Sequence, residues 1–280
     1  MNQNPQPGHH RSGDATLAVS LVHGLSAATT AWARNPMKLL TPRSRGDSVW
    51  AYTSSFGGGM VAGDRTRLEV TVDAGAHCFL GTQASTKIYR NPARLPCTHE
   101  LTAHVADDAL LILAPDPVQC FAESSYEQRQ HFTLAPPANL LLIDWMSAGR
   151  TARGERWNFR RYLSRNEVER DGRKLLVDAL LLDSQDGALD SKFLGGRFNC
   201  LATAVLFGPK LASCAEELLD WCGAQPITPK ASVVFAASPL HEGALLRFVG
   251  TSVEEVGHAI HERLGCVREL LNDNPWKRKW

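Results

Sequence analysis

A chain of 280 residues, 44% hydrophobic and 21% charged, has the composition of a soluble globular protein long enough to bury one large core or two small ones. With 30 Lys and Arg against 29 Asp and Glu, the formal net charge is +1, which excludes a global field for coating nucleic acid or an anionic membrane. The longest apolar runs, Ala109 to Ala114 and Leu140 to Ile143, are too short to span a bilayer.

Residues 1–15 are rich in Pro, Gly and polar side chains and are expected to form a disordered tail, with a single domain over 16–280. The tail lacks the apolar centre of a secretory leader. The seven cysteines are scattered without a C-x-x-C pair. Reduced thiols and a cytoplasmic protein are the expectation. From the tail to about residue 210 the dominant signal is β. Leu68, Val70 and Val72 alternate with Arg67, Glu69 and Thr71; Leu101, Ala103 and Val105 repeat the alternation, as do Phe132 and Leu134. Each run enters a small-residue turn, at Ala74–Ala76, Asp107–Ala109 and Pro137–Asn139, and then an apolar strand, at His77–Leu80, Leu110–Leu113 and Leu140–Ile143. Recurrence near 30 residues fits stacked β layers, each burying its face on the next; a succession of ordinary hairpins gives the same pattern.

Arg161–Arg170 and Lys174–Leu182 flank Asp171-Gly172 and predict a hairpin. The last part, about 210–280, carries the helical signals. Leu211, Ala215, Leu218, Leu219 and Cys222 share a helical face stopped by Gly223, and Ser252 with Glu255 forms a capping box ahead of a helix through Val256, Ile260, Leu264, Val267 and Leu271. Strands are expected between them at Ser232–Ala237 and Ala244–Val249. The predicted fold is mainly β, a β-helix-like stack of strands and hairpins with two C-terminal α-helices packed on it.

Gly57-Gly58-Gly59-Met60-Val61-Ala62 satisfies a relaxed dinucleotide fingerprint, but a strand and not a helix leaves the glycines, so a glycine-rich hairpin connection is the better reading. No P-loop, G-x-S-x-G elbow or H-E-x-x-H occurs. His258 and His261, with Glu262, could share a metal, although surface placement on an amphipathic helix is the more ordinary fate. Cys97 and His99 are close, but two ligands do not make a closed site. Polar residues concentrate after each apolar strand, in Thr82–Arg90, Ala114–Gln119, and Asp144-Trp145 with Gly149–Trp157. Stacked layers would bring these segments to one side, lining a groove or an interior channel. Alternatively, Arg150, Arg153 and Glu155 simply pair with one another across strands.

The same segments carry a family resemblance. Gly58-Gly59-Met60-Val61-Ala62-Gly63-Asp64, Gly75-Ala76, Thr82-Gln83-Ala84-Ser85-Thr86-Lys87-Ile88-Tyr89-Arg90, Pro115-Asp116-Pro117 and Gly149-Arg150-Thr151-Ala152-Arg153-Gly154-Glu155 strongly resemble the urease accessory protein UreD family, called UreH in some organisms. Asn35–Leu39 and Phe198-Asn199-Cys200 look most like the branch that includes plant members. The match spans about residues 30–210 and is looser beyond, through the Trp276-Lys277-Arg278-Lys279-Trp280 tail.

The resemblance implies a chaperone-like scaffold and not an enzyme. It implies a protein that binds apo-urease and recruits UreF, which engages the GTPase UreG, so that nickel is inserted with GTP hydrolysis. It also implies a β-helix-like fold and a passage for transient Ni²⁺, with no tightly bound cofactor. A transit path needs weak, successive ligands, because a tight site would trap the ion. On that ground Asp64, Gln83, Ser85, Thr86, Asp116, Asp144 and Glu155 are the candidate lining residues, while Lys87, Tyr89, Arg90, Arg150 and Arg153 fix loops or contact partners. The alternatives are an interaction module without direct metal transit, and a hydrolase or transferase with its site in the polar segments.

Overall fold

The computed structural model describes residues 13–277 other than 227 and 229. Most of the expected tail at 1–15 therefore lies outside the described residues, and the first strand already begins at Asp14. In chain order the strands are β1 (Asp14–Val22), β2 (Leu25–Ala33), β3 (Met37–Leu40), β4 (Val49–Ser55), β5 (Gly59–Met60) and β6 (Arg65–Val72). Next come β7 (His77–Thr82), β8 (Lys87–Ile88), β9 (Cys97–Val105), β10 (Leu110–Leu113), β11 (Val118–Cys120) and β12 (Ser125–Leu134). β13 (Asn139–Ser147), β14 (Arg161–Arg170), β15 (Arg173–Asp183), β16 (Cys200–Phe207), β17 (Val233–Leu240) and β18 (Gly243–Gly250) complete them.

Consecutive strands of the repeat do not pair with each other. β6, β9, β12 and β14 pair in parallel, with Leu68 opposite Leu101, Leu101 opposite Gln130, and Gln130 opposite Asn166. β4, β7, β10 and β13 form a second parallel run, with Ala51, Leu80, Leu113 and Leu142 in one row. The turns at Ala74–Ala76, Asp107–Ala109 and Pro137–Asn139 are therefore arches that carry the chain from the first sheet to the second. The arches stack on one another: Gly75 N donates to Asp107 O at 2.9 Å, and Asn139 Nδ2 donates to Ala109 O at 3.1 Å. This is a β-solenoid, not a succession of hairpins. Antiparallel pairs close its ends, β1 with β2 and β14 with β15 in the first sheet, β3 with β4 and β13–β16–β18–β17 in the second.

The sequence pattern follows from what covers each face. β6 alternates exposed and buried residues without exception, because its outer face meets solvent. β10 is buried at all four positions, because the helices cover the outer face of the second sheet. An uninterrupted apolar run is what a strand packed on both faces requires. Leu68, Leu101, Phe132, Leu80, Leu113 and Leu142 fill the space between the sheets.

The helical region is α1 (Ala212–Ala224), α2 (Val253–Arg263) and α3 (Cys266–Leu270). α1 runs on through Gly223, and the expected single last helix is two. Leu264 leaves helical geometry at φ −95° and ψ 36°, and both Leu264 and Val267 end up buried in the core between helices and sheet. The Ser252 cap is present: its hydroxyl accepts from Glu255 N at 3.2 Å. Ser252→Ala should lower stability by about 1 kcal/mol, read as a shift in the urea midpoint with unchanged m-value; an unmoved midpoint would show that packing alone holds α2. Close approach fixes Gly250, where a Cβ would lie 2.3 Å from Val256 Cγ2. At the C-terminus Trp276 is partly buried against the core: its ring meets Phe79 edge-on at 5.8 Å and stacks on His261 at 4.4 Å. No helix of the described residues is long and apolar enough to cross a membrane.

The glycine run is not a hairpin connection. Phe56–Gly58 forms a short turn with Gly57 and Gly58 at φ 75° and 72°, and Gly59–Met60 then pairs in parallel with β8. The glycines serve close approach, since a Cβ on Gly59 would stand 2.6 Å from the Lys87 carbonyl oxygen.

Candidate functional site

The inward face of the first sheet is not apolar throughout. In register across four parallel strands run Thr66, His99, Gln128 and Ser164. Beyond them lie the aliphatic core on one side and a second apolar cluster, with Cys97, Tyr126 and Tyr162, on the other. This polar band faces Thr82, Asp116 and Asp144 from the second sheet and its loops, around an internal cavity of about 120 Å³. A cavity of that size, with hydroxyls, amides and carboxylates set among aliphatic side chains in its wall, has room and partners for several waters.

Asp144 is held most fully. It accepts from Gln128 Nε2 at 3.1 Å, Ser164 Oγ at 2.5 Å and Asn166 Nδ2 at 2.8 Å. Burial pushes its carboxyl above the usual range, and the three donors pull the other way. Asp116 is 8% exposed, and its backbone N–H donates to Thr82 Oγ1 at 2.7 Å. Trp145 Nε1 donates to Pro115 O at 2.7 Å, tying the β10–β11 loop to β13. Asp116 and Trp145 also face a smaller cavity of about 80 Å³ beneath α2, with His261 and Trp276 on its far side. His99 is partly buried; burial in the stack pushes its imidazole down to about 4, with Glu100 pulling back. Cys97 is turned elsewhere, its Sγ donating to Val61 O at 3.0 Å. Among the described residues no group of three or more His, Cys, Asp or Glu is gathered as a metal cage, and all seven cysteines are free thiols.

Four of the seven candidate lining residues, Ser85, Thr86, Asp116 and Asp144, border the cavity. Asp64 lies outside it, its carboxylate accepting from Val61 N at 2.8 Å to close the turn before β6. Gln83 is exposed and accepts from Ser54 Oγ at 2.7 Å. Glu155 is tied to Arg150, whose Nε donates to its Oε2 at 2.9 Å, and to the Ala122 backbone N–H. That pairing holds its carboxyl below the usual range. It spans a single loop and does not bridge strands. Arg150 also lies over the Phe121 ring at 4.1 Å. Tyr89 donates to Gly57 O at 2.9 Å, and Arg90 makes a two-pronged pair with Glu123. Lys87 and Arg153 are exposed.

The residues that sequence reasoning missed are His99 as a cavity residue, Thr66, Gln128 and Gln130. The signal was in β12: alternation read back from Phe132 places Gln130, Gln128 and Tyr126 on the inward face. Two glutamines at inward positions mark a polar interior.

A two-sheet β-solenoid wound around a partly open cavity with a polar band in its wall, with helices covering one outer face, is the class of protein that this fold and site define. The family model described as UreD urease accessory protein matches residues 11–280. The chain is 45% identical over 271 residues to the urease accessory protein UreD of Sorangium cellulosum (strain So ce56), covering 96% of this chain and 85% of that one. It is 43% identical to the protein of the same name from Anaeromyxobacter sp. (strain Fw109-5), over 96% and 90% of the two chains. Against urease accessory protein D of Oryza sativa subsp. indica it is 31% identical over 93% and 94%. The chain belongs to the UreD urease accessory protein family.

Proposed function

We propose that this chain is a maturation scaffold for urease: it holds apo-urease together with UreF and the GTPase UreG, and Ni²⁺ passes along its cavity toward the urease active site while UreG hydrolyses GTP. Family membership supports the urease role. The observation that supports the transit reading is the cavity between the sheets bordered by Ser85, Thr86, Asp116 and Asp144. Oxygen donors in sequence bind a borderline cation loosely enough to release it.

The test is urease activity and nickel content after co-expression of apo-urease with the other accessory proteins, with and without this chain. Both should collapse in its absence and return on restoration. Equal nickel loading without it would overturn the maturation role. Loading that needs the chain but survives every cavity substitution would favour an interaction module over a conduit.

A further inference from the structure

Each of three successive coils brings one polar residue from the first sheet and one from the second sheet or its loop to the cavity wall. One coil supplies Thr66 from the first sheet and Thr82 from the second; the next supplies His99 and Asp116; the next supplies Gln128 and Asp144, and all six line the cavity. Adjacent strands are about 4.8 Å apart, so Thr66, His99 and Gln128 are successive levels of one wall, and opposite them Asp116 comes from the loop after β10, its backbone N–H on Thr82 Oγ1. The levels differ in chemistry. The first level offers two hydroxyls. The third offers an amide and a carboxylate already engaged by three donors. The middle level combines an imidazole with a carboxylate.

Thr66 engages one ring nitrogen of His99, its Oγ1 lying 2.8 Å from Nδ1 and 3.3 Å from the Thr98 carbonyl oxygen. In the Nδ1–H tautomer the ring donates to that hydroxyl, the hydroxyl donates to the carbonyl, and Nε2 keeps its lone pair. A hydroxyl or carbonyl that fixes the tautomer through the far nitrogen is the usual companion of a metal-binding imidazole.

We propose that His99, with Asp116 on the same coil, is a binding station for a divalent cation of borderline softness inside this cavity. The proposal rests on the urease reading only for the identity of that cation, Ni²⁺. One nitrogen and one carboxylate select a first-row transition ion over Mg²⁺ or Ca²⁺, which prefer all-oxygen shells. Two protein ligands leave the other positions to water, so the ion is held and then released. Thr66 is a positioning residue here, acting through the ring that it orients.

The test uses the full chain without a purification tag, on a background of His9→Ala and His10→Ala that removes the adjacent N-terminal histidines. Ni²⁺ binding is measured by calorimetry, and the ligands by Ni K-edge X-ray absorption, with Mg²⁺ as the comparison ion. The expected result is one Ni²⁺ bound with imidazole scattering and no Mg²⁺ bound at the same level. His99→Gln should weaken Ni²⁺ binding by about tenfold or more and remove the imidazole signal, and Thr66→Val should weaken it about tenfold with the signal retained. Absence of Ni²⁺ binding by the background chain would overturn the proposal, as would wild-type affinity and imidazole signal in a folded His99→Gln variant. Should His99→Gln fail to fold, unchanged affinity in both Thr66→Val and Asp116→Asn overturns it equally. The two readings fail separately: urease that fills with nickel without this chain removes the maturation role, whereas maturation that needs the chain while His99→Gln binds Ni²⁺ normally removes only the station.

Discussion

Ser85→Trp should reduce nickel loading of urease by about a hundredfold, the equivalent of the roughly 3 kcal/mol needed to repack an indole out of a filled passage. The cavity measures about 120 Å³, and one of about 150 Å³ is filled by benzene, so an indole leaves no room for an ion and its water. Ser85 is partly buried at the border of this cavity, on the connection between β7 and β8. The control is Arg67→Ala, on the outer face of β6, where the guanidinium pairs with Glu100 at 2.9 Å and both side chains are about half exposed. Loading should be unaffected there. The readout is nickel per urease active site after co-expression, with circular dichroism to establish that the variant folds. Full loading by folded Ser85→Trp would mean that nickel does not travel through the interior.

Between pH 6.5 and 4 the wild-type chain should lose up to about 3 kcal/mol of stability relative to His99→Gln. The sign follows from where the proton goes. Burial pushes the His99 imidazole from 6.5 down to about 4, so in that window the unfolded chain takes up a proton that the folded chain refuses. Stability from this group is fully present above pH 6.5 and is lost as the pH falls toward 4. Each unit of difference is worth about 1.4 kcal/mol; the side chain is only partly buried, so 3 kcal/mol is the upper end. Urea titrations of both proteins across this range would show the difference growing as pH falls. Parallel stability curves would mean that the cavity hydrates the imidazolium as well as bulk water does.

Much of this architecture is legible in the sequence because each sheet face has a single environment over several residues. The outward charges and inward aliphatics of Arg65–Val72 could fit only a half-buried strand, and the unbroken Leu110–Leu113 could fit only one covered on both sides. The pairing was less legible. An arch and a hairpin both need a small-residue turn, and parallel stacking is decided by contacts roughly 30 residues apart, such as Arg67 with Glu100 at 33.

The cavity was half legible. Segment position alone pointed to Ser85, Thr86, Asp116 and Asp144, but it could not separate a carboxylate facing inward from one closing its own turn. Asp64 and Glu155 are spent on local bonds three and five residues away, a competition to which short polar side chains near turns are prone. His99 and Gln128 were missed for the opposite reason. They lie within strands, not after them, and only the register across β6, β9, β12 and β14 puts them in one row.

That row makes the coil a unit of length. Each turn of the solenoid adds one residue from either wall and advances the cavity by about 4.8 Å. The levels are discrete, and their order is the order of the coils along the chain. A whole coil inserted between β10 and β12 would lengthen the cavity by one rung and leave the arches above and below free to stack as they do now. A single residue inserted within β9 would shift its inward set by one and turn His99 out to solvent. Relatives with a longer path are therefore expected to differ from this chain by insertions near thirty residues, and strand-interior insertions of one should be rare among those that still mature urease.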